Sequence, residues 1–160
     1  MIHNFRELKV WQKSICMVKI IYVSTATFPK SETYGIVAQI QRAAVSIPAN
    51  ISEGCGRNSD KEFSRFLDIA LGSAFELFTL ITLSVELNFI DKIESESILN
   101  EISEIQKMIY GLKQKLNNEK YNDIEIQNEL IVKEDIEEDK ESEKDNCKVD
   151  IKGAVKNPDV

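Results

Sequence analysis

The sequence predicts an all-α protein, an antiparallel up-down four-helix bundle over residues 1–117 followed by a disordered acidic tail over residues 118–160. Three observations support this prediction. Apolar residues recur at alternating steps of three and four along four stretches, which is the spacing of one helix face. Proline, glycine and asparagine separate the stretches. Beyond residue 117 the charged residues are too dense for a core.

The first helix is expected from Phe5 to about Phe28, since Pro29 disfavours helical geometry at the residue before it. Its inward stripe is predicted to be Leu8, Trp11, Ile15, Val18 and Tyr22. The second helix should bury Ile36, Ile40, Ala43, Ile47 and Ile51. Pro48 falls inside that pattern, so a kink is expected between Ala44 and Pro48.

The stretch SIPANISEGCGRNSDKEF, residues 46–63, separates the second helix from the third. Gly54 and Gly56 are expected to adopt the left-handed backbone that ends a helix. Ser59 and Glu62 have the spacing of a capping box, which satisfies the free N–H groups at a helix start. The stretch is therefore interpreted as a helix stop followed by a helix start.

The third and fourth helices complete the bundle. The third is predicted to turn inward Phe63, Phe66, Ala70, Ser73, Leu77, Leu80 and Leu87. The fourth begins near Asp91, and its stripe is Ile98, Ile102, Ile105, Ile109, Leu112 and Leu116. Residues 123–132 fit either a marginal helix or a short strand.

Charge is distributed unevenly along the 160 residues, whose formal net charge is −7. Residues 1–117 hold 13 basic and 13 acidic residues, whereas residues 118–160 hold 7 and 14. The acidity thus belongs to the tail and does not argue against a nucleic-acid partner for the bundle. The N-terminus lacks a signal-peptide pattern, so a cytoplasmic location with three reduced cysteines is expected.

The first and third helices are apolar on more than one face. Only Asp68, Glu76 and Glu86 are charged between Phe66 and Ile90. A membrane span is disfavoured because Glu76 interrupts the apolar run, so we expect a homo-oligomer without membrane insertion. The candidate interface residues are Ile20, Ile21, Phe75, Phe78 and Ile81.

No catalytic, metal or cofactor site is predicted. His3 is the sole histidine, which excludes a ferritin-like di-iron centre and a Ser/His or Cys/His pair. The GCGRNS segment lacks both the lysine ending and the preceding strand of a phosphate-binding loop. We therefore expect a protein that is not an enzyme.

Four basic residues surround the 46–63 stretch, and an oligomer would repeat them around one rim. These candidate nucleic-acid-binding residues are Arg42, Arg57, Lys61 and Arg65. The alternative is that they are ordinary surface cations paired with Asp60, Glu62 or Asp68.

The segments FRELKVWQKS, FPKSETYGIVAQIQRAAVSIPANISEGCGR and KEFSRFLDIALGSAFEL resemble the four-helix-bundle proteins encoded in 23S rRNA intervening sequences. The resemblance covers about residues 5–116. That family is similar to the accessory variability protein of diversity-generating retroelements, a pentamer that binds nucleic acid beside a reverse transcriptase. The positions carried over are Gln39, Arg42, Ser46, Asn50, Glu53, Gly54, Gly56, Arg57, Glu62, Phe63, Gly72, Ser73 and Glu76.

The resemblance implies a ring-like homo-oligomer, a pentamer by analogy, with no activity of its own and with RNA, DNA or a reverse transcriptase as partner. Several of these positions have a structural interpretation: Asn50 and Glu53 would satisfy backbone groups freed by Pro48, and Gly72 and Ser73 would allow close helix approach. The competing hypothesis is a protein–protein adaptor that recruits a basic partner through its acidic tail without binding nucleic acid.

Overall fold

The computed structural model describes residues 4–117, which form four α-helices and contain no strand. Helix α1 is Lys9–Thr25, α2 is Ile36–Cys55, α3 is Asp60–Glu86, and α4 covers residues 92–117. Short 3-10 helices at Phe5–Glu7 and Lys30–Glu32 precede α1 and α2. The predicted four-helix bundle is confirmed. The predicted tail and the alternatives for residues 123–132 lie outside the described residues.

Helix α2 packs against both α1 and α3, and ion pairs join α4 to α1 and to α3. Lys13 of α1 bridges two carboxylates of α4, with its Nζ 2.6 Å from Glu101 and 2.8 Å from Glu104. Lys113 of α4 pairs with Asp68 of α3. Short connections join consecutive helices, as an up-down topology requires.

The core is rich in isoleucine. All five residues predicted to face inward from α2 are buried, and α2 continues through Pro48 without interruption. The α4 stripe is likewise buried except for Leu112, which is half-buried. A β-branched side chain has few rotamers to lose, so it packs into a helical seam with one defined geometry.

The predicted stripe of α1 is wrong by one position. The structure buries Val10, Ser14, Met17, Ile21 and Ser24, whereas Tyr22 is 48% exposed and the other predicted residues are half-buried. Serines can occupy the true seam because their hydroxyls find acceptors there. Ser14 Oγ donates to the carbonyl of Val10 in the same helix at 2.9 Å, and Ser24 Oγ donates to the Glu94 carboxylate of α4. Two apolar stripes lie side by side on α1, and periodicity alone predicts that the stripe with the larger side chains is the buried one. The helix is also shorter than predicted, since a 3-10 turn replaces its first residues.

The turn between α3 and α4 corrects a second expectation. Leu87 is 46% exposed instead of buried, because α3 ends at Glu86 and the chain turns away from the core. Asn88 follows with φ of 56°, a left-handed conformation that asparagine tolerates better than most residues. Asp91 then accepts a hydrogen bond from the Glu94 N–H at 2.9 Å and so caps α4.

Within residues 4–117, α3 is the one helix long and apolar enough to cross a bilayer by length and composition. A core helix of a soluble protein meets the same criterion, so this property is weak support for membrane insertion.

Candidate nucleic-acid interface

The connection between α2 and α3 comprises only residues 56–59. Ser59 caps α3 by accepting a hydrogen bond from the Glu62 N–H at 3.3 Å, and its hydroxyl donates to the Glu62 carboxylate. The predicted cap by Ser59 is confirmed, whereas the Glu62 carboxylate accepts from the Ser59 hydroxyl and not from a backbone N–H as a full capping box requires. This turn therefore fixes where the basic residues of the first α3 turns project.

The prediction for the two glycines of this stretch is wrong. Gly54 lies inside α2, Gly56 has φ of −83°, and no glycine in the described part of the chain has a positive φ. Gly54 serves a steric purpose instead. A Cβ there would lie 2.7 Å from Cδ2 of Phe63 and 2.8 Å from Cβ of Phe66, so its absence lets α3 pack directly on α2.

Arg57 makes its contacts within the chain. Its guanidinium pairs with the Glu53 carboxylate and lies over the Phe66 ring, 4.6 Å from the centroid. Its Nε is buried without a hydrogen-bond partner. These contacts position the turn and leave less of Arg57 for a phosphate than an isolated surface arginine would offer. Glu53 thus partners Arg57, not a backbone group freed by Pro48.

Lys61 and Arg65 lie four residues apart on the outer face of α3, and both are exposed. Among residues 4–117 neither forms an ion pair. Arg42 is also exposed and forms no ion pair with any described residue, but it lies near the middle of α2, more than three helical turns before residues 56–59. The structure therefore groups Lys61 and Arg65 with Arg57 and separates Arg42 from them.

The charges of residues 4–117 sum to zero but are separated along the bundle. We name two regions: the basic end is residues 4–9, 53–65 and 107–117, and the acidic end is residues 26–36 and 86–96. The basic end holds eight basic and four acidic residues, and the acidic end holds two and five. Ring contact between Phe28 and Phe89, with centroids 5.7 Å apart, confirms that the two acidic segments meet. A positive potential is therefore expected at one end only.

A groove between α2 and α3 collects several of the residues carried over from the family resemblance. Arg42, Ala43, Ser46 and Glu76 line this α2–α3 groove, whose volume is about 270 Å³. At its side, Asn50 Nδ2 donates to Ser46 Oγ at 3.0 Å, and the Ser46 and Ser73 hydroxyls lie 2.8 Å apart. Asn50 also donates to the Ser46 carbonyl at 2.8 Å, so it binds a backbone group near Pro48 as expected.

The predicted interface residues divide into two groups. Ile21 and Ile81 are fully buried in the core of the single chain, so they are withdrawn as interface candidates. They lie on the seams of α1 and α3, which composition alone could not separate from the outer faces. Ile20 and Phe75 are 41% and 57% exposed, and Phe78 is half-buried.

Gly72 is exposed, and a Cβ added there would have no atom of residues 4–117 within 4 Å. The expectation that Gly72 allows two helices to approach closely is therefore not met among the described residues.

No group of three metal-ligating side chains occurs in residues 4–117. Cys55 is buried, and desolvation raises the pKa of its thiol above the ordinary value. A thiol in this state is a poor nucleophile at neutral pH. Cys16 is exposed, whereas Cys147 lies outside the described residues.

Sequence reasoning missed two features of this region. It did not foresee that Phe66 stacks against Arg57, because the two residues come together only after the turn reverses the chain. It also did not bring Arg42 together with Glu76, since register between two helices is not visible in either helix alone.

Comparisons with known proteins agree with this architecture. A comparison with curated proteins finds no match. A solved structure from Bacteroides thetaiotaomicron, described as a protein of unknown function from the S23 ribosomal protein family, shares 30% identity with a TM-score of 0.60. The similarity covers 65% of this chain and 97% of that one. The model of the 23S rRNA-intervening sequence protein family matches residues 6–111. Because that match covers most of the chain, the protein belongs to the 23S rRNA-intervening sequence protein family.

Proposed function

We propose that this protein is a non-enzymatic, homo-oligomeric helical scaffold that binds RNA, DNA or a nucleoprotein partner such as a reverse transcriptase through its basic end. The observation that carries the proposal is the pair Lys61 and Arg65, exposed and without ion-pair partners in residues 4–117, at the end where basic residues exceed acidic ones. Cations free of internal partners can neutralise phosphates without first breaking an ion pair. An oligomer would repeat the pair in every subunit.

The test measures binding of structured RNA and of duplex DNA by fluorescence anisotropy between ~50 and ~200 mM salt. Replacing Lys61 and Arg65 together by alanine should weaken binding of all sequences evenly. It should also reduce the salt slope, which is the slope of the logarithm of the binding constant against the logarithm of the salt concentration, by about two. The matched control is Lys30→Ala with Lys92→Ala, which removes two charges from the acidic end and should leave the slope unchanged. Absence of binding to either nucleic acid at the lowest salt, with or without residues 118–160, would contradict the proposal.

The adaptor hypothesis is the second candidate, favoured by the 14 acidic against 7 basic residues in 118–160. In that case a cationic protein partner binds through the tail, and its capture survives nuclease treatment but is lost when residues 118–160 are removed.

A further inference from the structure

The outer face of α3 is apolar yet open to water. Ile69, Phe75 and Leu83 are 45%, 57% and 45% exposed, and Glu76 is the only charged residue between positions 69 and 85. Thr79 and Thr82 donate their hydroxyls to carbonyls of their own helix, each at 2.9 Å. Their methyl groups therefore add to an apolar surface that nothing in residues 4–117 covers.

Gly72 lies in the middle of this α3 outer face. A Cβ at Gly72 would meet no atom within 4 Å, so packing inside the chain gives no reason for a glycine. Glycine in a helix interior is unfavourable relative to alanine because it loses more backbone freedom on folding. A missing Cβ is useful where another backbone approaches the helix closely.

The α2–α3 groove beside this face carries two unpaired charges of opposite sign. Arg42 and Glu76 both line it, yet neither makes an ion pair or hydrogen bond among the described residues. On the other side of Arg42, a groove of about 450 Å³ between α1 and α2 is lined by Tyr22, Ala38, Gln41, Arg42, Val45 and Ser46. One surface thus offers a free cation, a free anion and apolar neighbours.

We propose that a second copy of this chain covers the α3 outer face and that Arg42 of one subunit pairs with Glu76 of its neighbour. The inference rests on the oligomer in the proposed function and names its contact. Charge complementarity selects a copy of this chain as the occupant, because the same surface supplies both partners of the ion pair. Arg42 and Glu76 also lie at one level of the bundle, so rotation about an axis parallel to the helices brings Glu76 of one copy level with Arg42 of the next.

This assignment changes the role of one candidate nucleic-acid ligand. Arg42 becomes an interface residue, and phosphate contact is left to Lys61 and Arg65. An assembly built by rotation about such an axis also places every basic end on the same side, which gives the repeated cations a common surface.

The test is a charge exchange measured on the full chain by sedimentation velocity and native mass spectrometry. Arg42→Glu and Glu76→Arg should each raise the dissociation constant of the assembly by about tenfold or more, since like charges then face each other. The double variant should assemble again. A mixture of the two single variants should form assemblies that contain both chains, because each then supplies the charge that the other needs.

Lys92→Glu and Glu96→Lys provide the matched control at the acidic end and should not change assembly. Circular dichroism of each variant verifies that the exposed substitutions leave the fold intact. A further experiment mixes the unmodified protein with anionic phospholipid vesicles. We expect that the protein does not float with the vesicles, because a second copy of the chain covers the α3 outer face.

Three results would overturn the inference. If the unmodified protein assembles and Arg42→Glu does not disturb it, the contact lies elsewhere while the proposed oligomer stands. If the double variant assembles but the mixture does not, the pair is internal to one chain. A monomeric unmodified protein, or one that floats with vesicles, removes both the inference and the oligomer, whereas nucleic-acid binding is decided by the separate anisotropy measurement.

Discussion

Gly54 controls the distance between α2 and α3 at the basic end. The side chains of Phe63 and Phe66 occupy the space that a Cβ would need, and Phe66 in turn supports the guanidinium of Arg57. The positions of Phe63, Phe66 and Arg57 therefore depend on the absence of a methyl group at Gly54. The position of the cations on α3 follows from this contact.

Replacing Gly54 by alanine should lower the free energy of unfolding by about 1–3 kcal/mol, because the ring of Phe63 and the backbone of α3 must move to admit the methyl. Urea denaturation followed by circular dichroism measures the change. Gly56→Ala is the matched control: its Cβ would approach only the Glu53 carbonyl, at 3.4 Å, and its φ of −83° suits any residue. Equal stability losses for the two variants would contradict the steric explanation.

At the scale of elements, the buried faces of α2 and α4 were predictable from sequence, whereas the buried face of α1 was not. Each of the first two has one continuous apolar stripe, so periodicity identifies the buried face without ambiguity. Helix α1 has two neighbouring stripes, and the structure selects the one that contains Ser14 and Ser24. That selection depends on the shapes of the partner helices, which a single stretch of sequence does not contain.

The candidate site was predictable only in part for the same reason. The capping residues Ser59 and Glu62 follow from local spacing, and the structure contains their contact. The grouping of Arg42 with Glu76 depends on the register between α2 and α3. Local patterns therefore identified the turn, while tertiary packing decided which charged residues line the same groove.

Gly72 and Gly111 offer a paired test of the α3 outer face. Both are exposed helical glycines with open space at the Cβ position. Gly111→Ala should raise the free energy of unfolding by about 0.5–1 kcal/mol through reduced backbone entropy. The Gly72→Ala variant should be stabilised less than Gly111→Ala, or destabilised, because its methyl would separate the subunits that we propose pack there. The free energy of assembly contributes to the unfolding free energy measured at micromolar concentration. Equal gains would indicate that nothing packs on Gly72.

For the whole molecule, the acidity of residues 118–160 should oppose the proposed nucleic-acid binding by long-range repulsion. Removing them changes the formal net charge from −7 to zero and leaves the charges of the bundle in place. We expect tighter RNA binding at ~50 mM salt, with the difference shrinking by ~200 mM as screening increases. Anisotropy titrations of the two forms measure this effect. The adaptor hypothesis instead predicts that removal of residues 118–160 abolishes binding of a cationic protein partner and does not raise the affinity for RNA.

The separation of charge between the two ends gives the neutral bundle an electric dipole moment along its long axis. A polyanion would exert a torque on such a particle before any contact forms and would turn the lysine- and arginine-rich end toward itself. The approach of the proposed nucleic-acid ligand would therefore be oriented even though the helical domain has no net charge.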